Sequence, residues 1–270
     1  KHIKFIISKH IDTVYFSKDN NRKSFFGKKL ELIVSHRAEK IICISDAVKK
    51  FMSSKYMGIR KKKLIKVYYG LDFKIYNDNK ISSKLKKLKI KLRGKKIIGT
   101  ISRLVPQKRI DMMINAFSEY NTNYENNSYL IIVGKGPEKE NLKRLSNKLK
   151  INDKIIWIDY LDDIKSFFSL INIFCLTSEH EGFGIVTLEA FYNKKPIICT
   201  HAGSLPEIVK NDYNGICLRK NKLHLLPKYF HQLMFKKKAK FLVKNDFYIL
   251  NKKFTNKKMF KQTDRIYRNS

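Results

Sequence analysis

Short runs of β-branched and aliphatic residues recur along this chain. Between them lie longer stretches in which apolar positions return every three or four residues. The runs predict strands at Phe5–Ser8, Lys40–Ile44, Ile65–Tyr68, Lys96–Ile101, Tyr129–Val133, Ile155–Ile158, Ile173–Leu176, Pro196–Cys199 and Gly215–Leu218. The periodic stretches predict helices at Ile110–Tyr120, Glu138–Leu149, Ile164–Leu170 and Ile185–Tyr192. Strands that alternate with helices in this way imply parallel sheets in a doubly wound α/β fold, with ligands at the carboxyl ends of the strands.

The polarity pattern also divides the chain. The segment Lys80–Gly94 is polar and lysine-dense, and a fresh strand follows it. The part from Lys95 to Leu218 has the size of a complete Rossmann-like domain. The part before it, with three predicted strands, is shorter than a typical domain of roughly 100–150 residues. The expectation is a partial N-terminal Rossmann-like domain over 1–88, whose first half lies outside this chain, and a nucleotide-binding domain over 89–222. Lysine- and leucine-rich helices over 223–270 would pack back across both, because no glycine and only Pro227 interrupt that tail.

Composition narrows the class. With 43% hydrophobic residues the chain can build a core, and no apolar run approaches the roughly 20 residues that span a bilayer. The first residue is Lys1, so an N-terminal targeting signal is not legible. Cys43, Cys175, Cys199 and Cys217 form no C-x-x-C pair and read as free thiols of a reducing, cytoplasmic compartment. The net charge of +35 admits an anionic membrane surface as a partner, and compositional bias inflates it. The lysines lack the aromatic interleaving of a nucleic-acid groove, so no nucleic-acid partner is expected.

The chemistry concentrates in Glu181–Gly182–Phe183–Gly184–Ile185, which runs into a helix carrying Glu189. Glycines let the backbone approach a ligand, and a helix start presents free N–H groups and a positive dipole end, so the place suits a phosphate. Carboxylates accept paired hydroxyls, so Glu181 at the mouth suits a sugar and Glu189 inside the helix suits a ribose. Arg103 and Lys108 flank a proline turn after a strand and could clamp a diphosphate, or stand as solvated charges. Gly134 and Gly136 open a strand-to-helix turn that suits a ligand or simply tight packing. Asp162 or Asp163 reads as a helix cap, with base contact as a lesser option for that turn. Glu207 reads as a first-turn acid rather than a catalyst.

These segments together resemble the retaining nucleotide-sugar transferases of glycosyltransferase family 4, which have the GT-B fold of two facing Rossmann-like domains. The resemblance is carried by GTISRLVPQK (99–108), VGKGPE (133–138), SEHEGFGIVTLEA (178–190), KPIICT (195–200), AGSLPEIV (202–209) and NGICL (214–218). It is similar upstream in IICISDAVKK (41–50) and KVYYGLD (66–72), and the E-x7-E spacing of Glu181 and Glu189 is its most specific element.

The resemblance implies a metal-independent sugar transfer with retention, from a nucleotide-sugar donor to a glycan or lipid-linked acceptor. No cofactor beyond that co-substrate is implied. It gives the diphosphate to Arg103 and Lys108, the ribose to Glu189, and the donor sugar to Glu181 and the 182–184 backbone. His10 lies where the family often places a histidine facing that sugar. Asp159 and Ala202 depart mildly from its glycines, and the family's N-terminal strand and glycine-rich loop have no counterpart here. Other readings are a synthase of a small soluble glycoside, and a truncated donor-binding chain without turnover.

Overall fold

A computed structural model describes residues 5–10, 21–72, 83–161, 163–234 and 236–269. Two parallel sheets organise it. The first has three strands in sequence order: β1 (Ile6–Lys9), β2 (Lys40–Cys43) and β3 (Leu64–Lys66). The crossovers are α1 (Asn21–Arg37) and α2 (Asp46–Met52). Neither helix is among those the periodicity predicts; α1 has almost no amphipathic contrast.

The second sheet has six strands: β4 (Lys96–Ile101), β5 (Ser128–Val133), β6 (Ile155–Ile158), β7 (Ile173–Leu176), β8 (Ile197–Thr200) and β9 (Ile216–Leu218). They lie in the order β6-β5-β4-β7-β8-β9, all parallel. The order reverses direction between β4 and β7, which opens a crevice at their carboxyl ends. The connecting helices are α4 (Ile110–Asn123), α5 (Lys139–Lys148), α6 (Ile164–Leu170), α7 (Ile185–Tyr192) and the single turn α8 (Leu205–Ile208). Every strand predicted from the pattern falls within two residues of an observed one.

The apolar runs are buried on both faces of this sheet. Ile131 and Val133 face one core, and Leu130 and Ile132 face the other. The first core continues without a break into the three-stranded lobe, joining Ile41 and Met52 to Leu188 and Phe191. The second sits under α4 and α9 (Leu226–Met234), where Phe230 meets Tyr120 edge-on.

The polar segment read as a boundary contains α3 (Ser83–Lys91), and Leu85 and Leu92 at its ends are buried in the first core. Gly99 lies inside β4. A Cβ there would come within 2.5 Å of Ile171 and 2.7 Å of Phe167, so its missing side chain seats α6 and the turn after it. The last two helices, α10 (Lys236–Lys253) and α11 (Asn256–Arg268), carry the chain from α7 back to the first lobe. There Ile266 and Met259 pack on Ile42 and Val67. A bridge between Leu71 and Thr255 closes that return, and Gly70 lies so close to Thr255 that a Cβ would overlap its backbone. No helix among the described residues is long and apolar enough to cross a membrane.

Candidate active site

The parallel pairing of β4 with β7 brings the loops that follow them side by side. Glu179 N–H donates to the Gln107 carbonyl at 2.8 Å, and Gln107 Nε2 donates to the His180 carbonyl at 2.8 Å. Thr177 Oγ1 donates to the carbonyls of Lys108 and Arg109. Four hydrogen bonds therefore tie the two loops together.

Lys108 and Glu181 meet at this seam. Lys108 Nζ donates to Glu181 Oε2 at 2.6 Å, and Ser178 Oγ donates to the same oxygen at 3.1 Å. Their side chains are only 12% and 14% exposed. Arg103 lies on the same loop, exposed, and its side chain has no polar partner among the described residues. One cation is thus engaged by the acid of the motif and the other is available to an anion.

Gly184 is the N-cap of α7 in the left-handed region, φ 75°, where glycine is favoured. A Cβ there would press on Leu205 at 2.9 Å and on Glu181 at 3.3 Å. No side chain caps α7, so its opening amides and dipole end stand free of a side-chain acceptor. Ile185 is 44% exposed at that helix start. Glu189 is half-buried on the second turn, hydrogen-bonded through its carbonyl to Asn193.

Gly134 and Gly136 are close-packing positions. A Cβ on Gly134 would lie 1.8 Å from the Ser102 carbonyl oxygen, and one on Gly136 would lie 2.1 Å from that of Leu104. Leu104 N–H donates to the Lys135 carbonyl at 2.8 Å. The two glycines press one loop onto the loop of Arg103, which places the Arg103 backbone. Asp163 caps α6, accepting from Ser166 N–H at 2.9 Å. Asp162, the other cap candidate and the donor-binding candidate of that turn, lies outside the described residues.

Phe183 does not project into open space. It is 3% exposed and sits among Tyr68, Tyr69 and Phe254, with ring centroids 5.3–6.0 Å away. Tyr69 in turn stacks on His10 at 5.6 Å, and its hydroxyl contacts His10 Nδ1. Burial first, and the neighbouring Lys9 charge second, lower the His10 pKa, which favours the neutral ring. His10 therefore reaches the motif through Tyr69.

The three-stranded lobe also bonds directly to the motif. Ser45, the N-cap of α2, donates its hydroxyl to the Gly182 carbonyl at 3.3 Å. Glu207 accepts from the Asp46 and Ala47 amides, both at 2.8 Å, and from the Tyr68 hydroxyl at 3.0 Å. Burial pushes the Tyr68 phenol up to about 12, and the Glu207 charge adds to that rise, so Tyr68 stays a donor. Ser45, Tyr68, Tyr69 and Glu207 were not among the expected site residues. The sequence signal for Glu207 was its position after Pro206, which shows a helix start and not its distant partners.

Comparison with known proteins gives a family and a fold. The family model described as glycosyl transferases group 1 matches residues 82–245. The O-antigen biosynthesis glycosyltransferase WclY of Escherichia coli is 28% identical over 216 residues, covering 75% of this chain and 55% of that protein. The N-acetyl-alpha-D-glucosaminyl L-malate synthase of Bacillus anthracis is 30% identical over 149 residues, 55% of this chain and 38% of that protein. The chain thus spans about half or less of the length of these two relatives. Among solved structures, Anabaena HepE in complex with UDP and glucose superposes with a TM-score of 0.84 at 20% identity. That match covers 99% of this chain and 72% of HepE. It establishes the fold, two facing Rossmann-like lobes of the GT-B type.

Proposed function

The chain belongs to the glycosyl transferases group 1, and on that premise we propose that it moves a sugar, with retention, from a nucleotide-sugar donor to a glycan or lipid-linked acceptor. The observation that carries the reading is the joined pair of loops at the crevice between β4 and β7. They set the available Arg103, the Lys108–Glu181 pair and the uncapped start of α7 on one rim. A diphosphate would lie against Arg103 and the α7 amides, its ribose would meet Glu189, and the sugar would face Glu181.

In this reading the family is glycosyltransferase family 4 and Glu181 and Glu189 are its E-x7-E pair. Arg103, Lys108 and the helix dipole neutralise the charge that develops on the leaving diphosphate, so no metal is required. Retention assigns the departing phosphate the proton of the acceptor hydroxyl, on the same face of the sugar. UDP is the nucleotide favoured, because HepE was crystallised with UDP and with UDP-glucose. The name of WclY favours polysaccharide synthesis as the setting. The enzyme would work at the cytoplasmic face of a membrane, held there by its basic surface.

The test is calorimetric titration of UDP, followed by chromatography of UDP released from UDP-sugars. Binding to the wild type that is lost in Arg103→Ala, with release abolished in Glu181→Ala, is the expected result. Release that survives both substitutions overturns the assignment. A second reading is a donor-binding chain without turnover. It predicts UDP binding with no release.

A further inference from the structure

Glu207 stands outside the donor rim, yet its carboxylate accepts three hydrogen bonds from the opposite lobe. It accepts two amides at the N-terminus of α2 and the Tyr68 hydroxyl. Lys66 joins the cluster through Tyr68 and through Asp46. Two backbone amides on one carboxylate at a helix start are charge-assisted bonds, aligned with the helix dipole.

The same short segment supports the donor loop from behind. Ser204 N–H donates to the Glu181 carbonyl at 3.0 Å, and Leu205 fills the space a side chain on Gly184 would need. On the other side, Ser45 caps α2 and bonds Gly182, while Tyr68 and Tyr69 hold Phe183. The loop 181–184 is therefore gripped by both lobes, and Glu207 fastens the two grips to each other.

We infer that Glu207 is a positioning residue for sugar transfer. By clamping the α2 start and Tyr68, it fixes the first lobe, with His10 and Tyr69, at a set distance from Glu181. The inference rests on the proposed transfer reaction. Nucleotide binding needs only the second lobe, so it does not need the clamp. Transfer needs groups of both lobes at once, so it does.

The experiment measures three quantities on the full chain: amide hydrogen exchange at Asp46 and Ala47, UDP affinity by calorimetry, and the kcat of UDP-sugar turnover. In Glu207→Ala the two amides are expected to exchange about tenfold faster or more. The kcat should fall about tenfold at unchanged UDP affinity. Glu207→Gln keeps one neutral acceptor and should fall between. Tyr68→Phe gives a milder form of the same pattern, should Glu207→Ala not fold. Amides that stay protected, or a kcat that stays at the wild-type level, overturn the inference. A wild type with no turnover instead overturns the transfer reading, and the clamp is then judged on amide exchange alone.

Discussion

Lys108 Nζ and Glu181 Oε2 lie 2.6 Å apart, with both side chains almost fully out of solvent, at the seam between two loops 73 residues apart in sequence. Each charge is tolerable there only because of the other. Lys108→Met should cost about 3 kcal/mol in denaturant unfolding, since it leaves the Glu181 carboxylate with the Ser178 hydroxyl alone. The double variant Lys108→Met/Glu181→Gln should cost less than the sum of the two single changes. Additive costs would show that the pair is not coupled.

Gly134 and Gly136 test whether loop packing places Arg103. An alanine at either meets carbonyl oxygen at 1.8–2.1 Å, and Gly134 also has φ 145°. Each substitution should destabilise by about 3 kcal/mol or more and weaken UDP binding through the displaced loop. Gly94→Ala is the control: φ is 78° but nothing lies within 4 Å, so only the left-handed backbone cost of about 1–2 kcal/mol is expected. Equal midpoints for the three variants would refute the packing account.

The Tyr68 phenol supplies a pH signature. Its folded pKa of about 12 lies above the ordinary value of 10, so the neutral form is the one folding favours. The stability it contributes is complete below pH 10 and is lost as pH rises from 10 toward 12. Unfolding midpoints measured across that window should fall less steeply in Tyr68→Phe than in the wild type. Parallel slopes would mean that this hydroxyl does not titrate late.

Helix α10 presents Phe241 and Tyr248, each 58% exposed, beside the exposed Lys240, Lys244 and Lys252 on one stripe. Aromatic rings between lysines suit the boundary of an anionic bilayer. Co-sedimentation with phosphatidylglycerol vesicles is expected, with weaker binding to phosphatidylcholine and release as salt rises. Phe241→Ser/Tyr248→Ser should lower partitioning about tenfold. Equal partitioning of wild type and double variant would remove this face from consideration.

Much of the fold was legible because parallel strands buried on both faces read as unbroken apolar runs. Ile173–Leu176 and Ile197–Thr200 are entirely buried, and both runs stand out in the sequence. Helices α1 and α2 were not legible. One lacks amphipathic contrast and the other buries only Val48 and Met52, so periodicity had little to act on. The motif around Glu181 was legible because glycine and helix-start chemistry are local. Its partners were not. Phe183 reads as part of a ligand loop, and only its burial among three rings from other segments reveals an anchor.

The sequence by itself determined the alternation of strands and helices, the glycine-opened start of α7 and the cations that follow β4. These depend on residues near each other along the chain. The tertiary structure alone decided that Lys108 is held by Glu181, that Gly134 and Gly136 serve the Arg103 loop, and that Glu207 clamps the opposite lobe. The last of these joins atoms 161 residues apart. A hydrogen bond of that span leaves no periodicity in either segment, because its geometry arises only when two sheets pack on one continuous core.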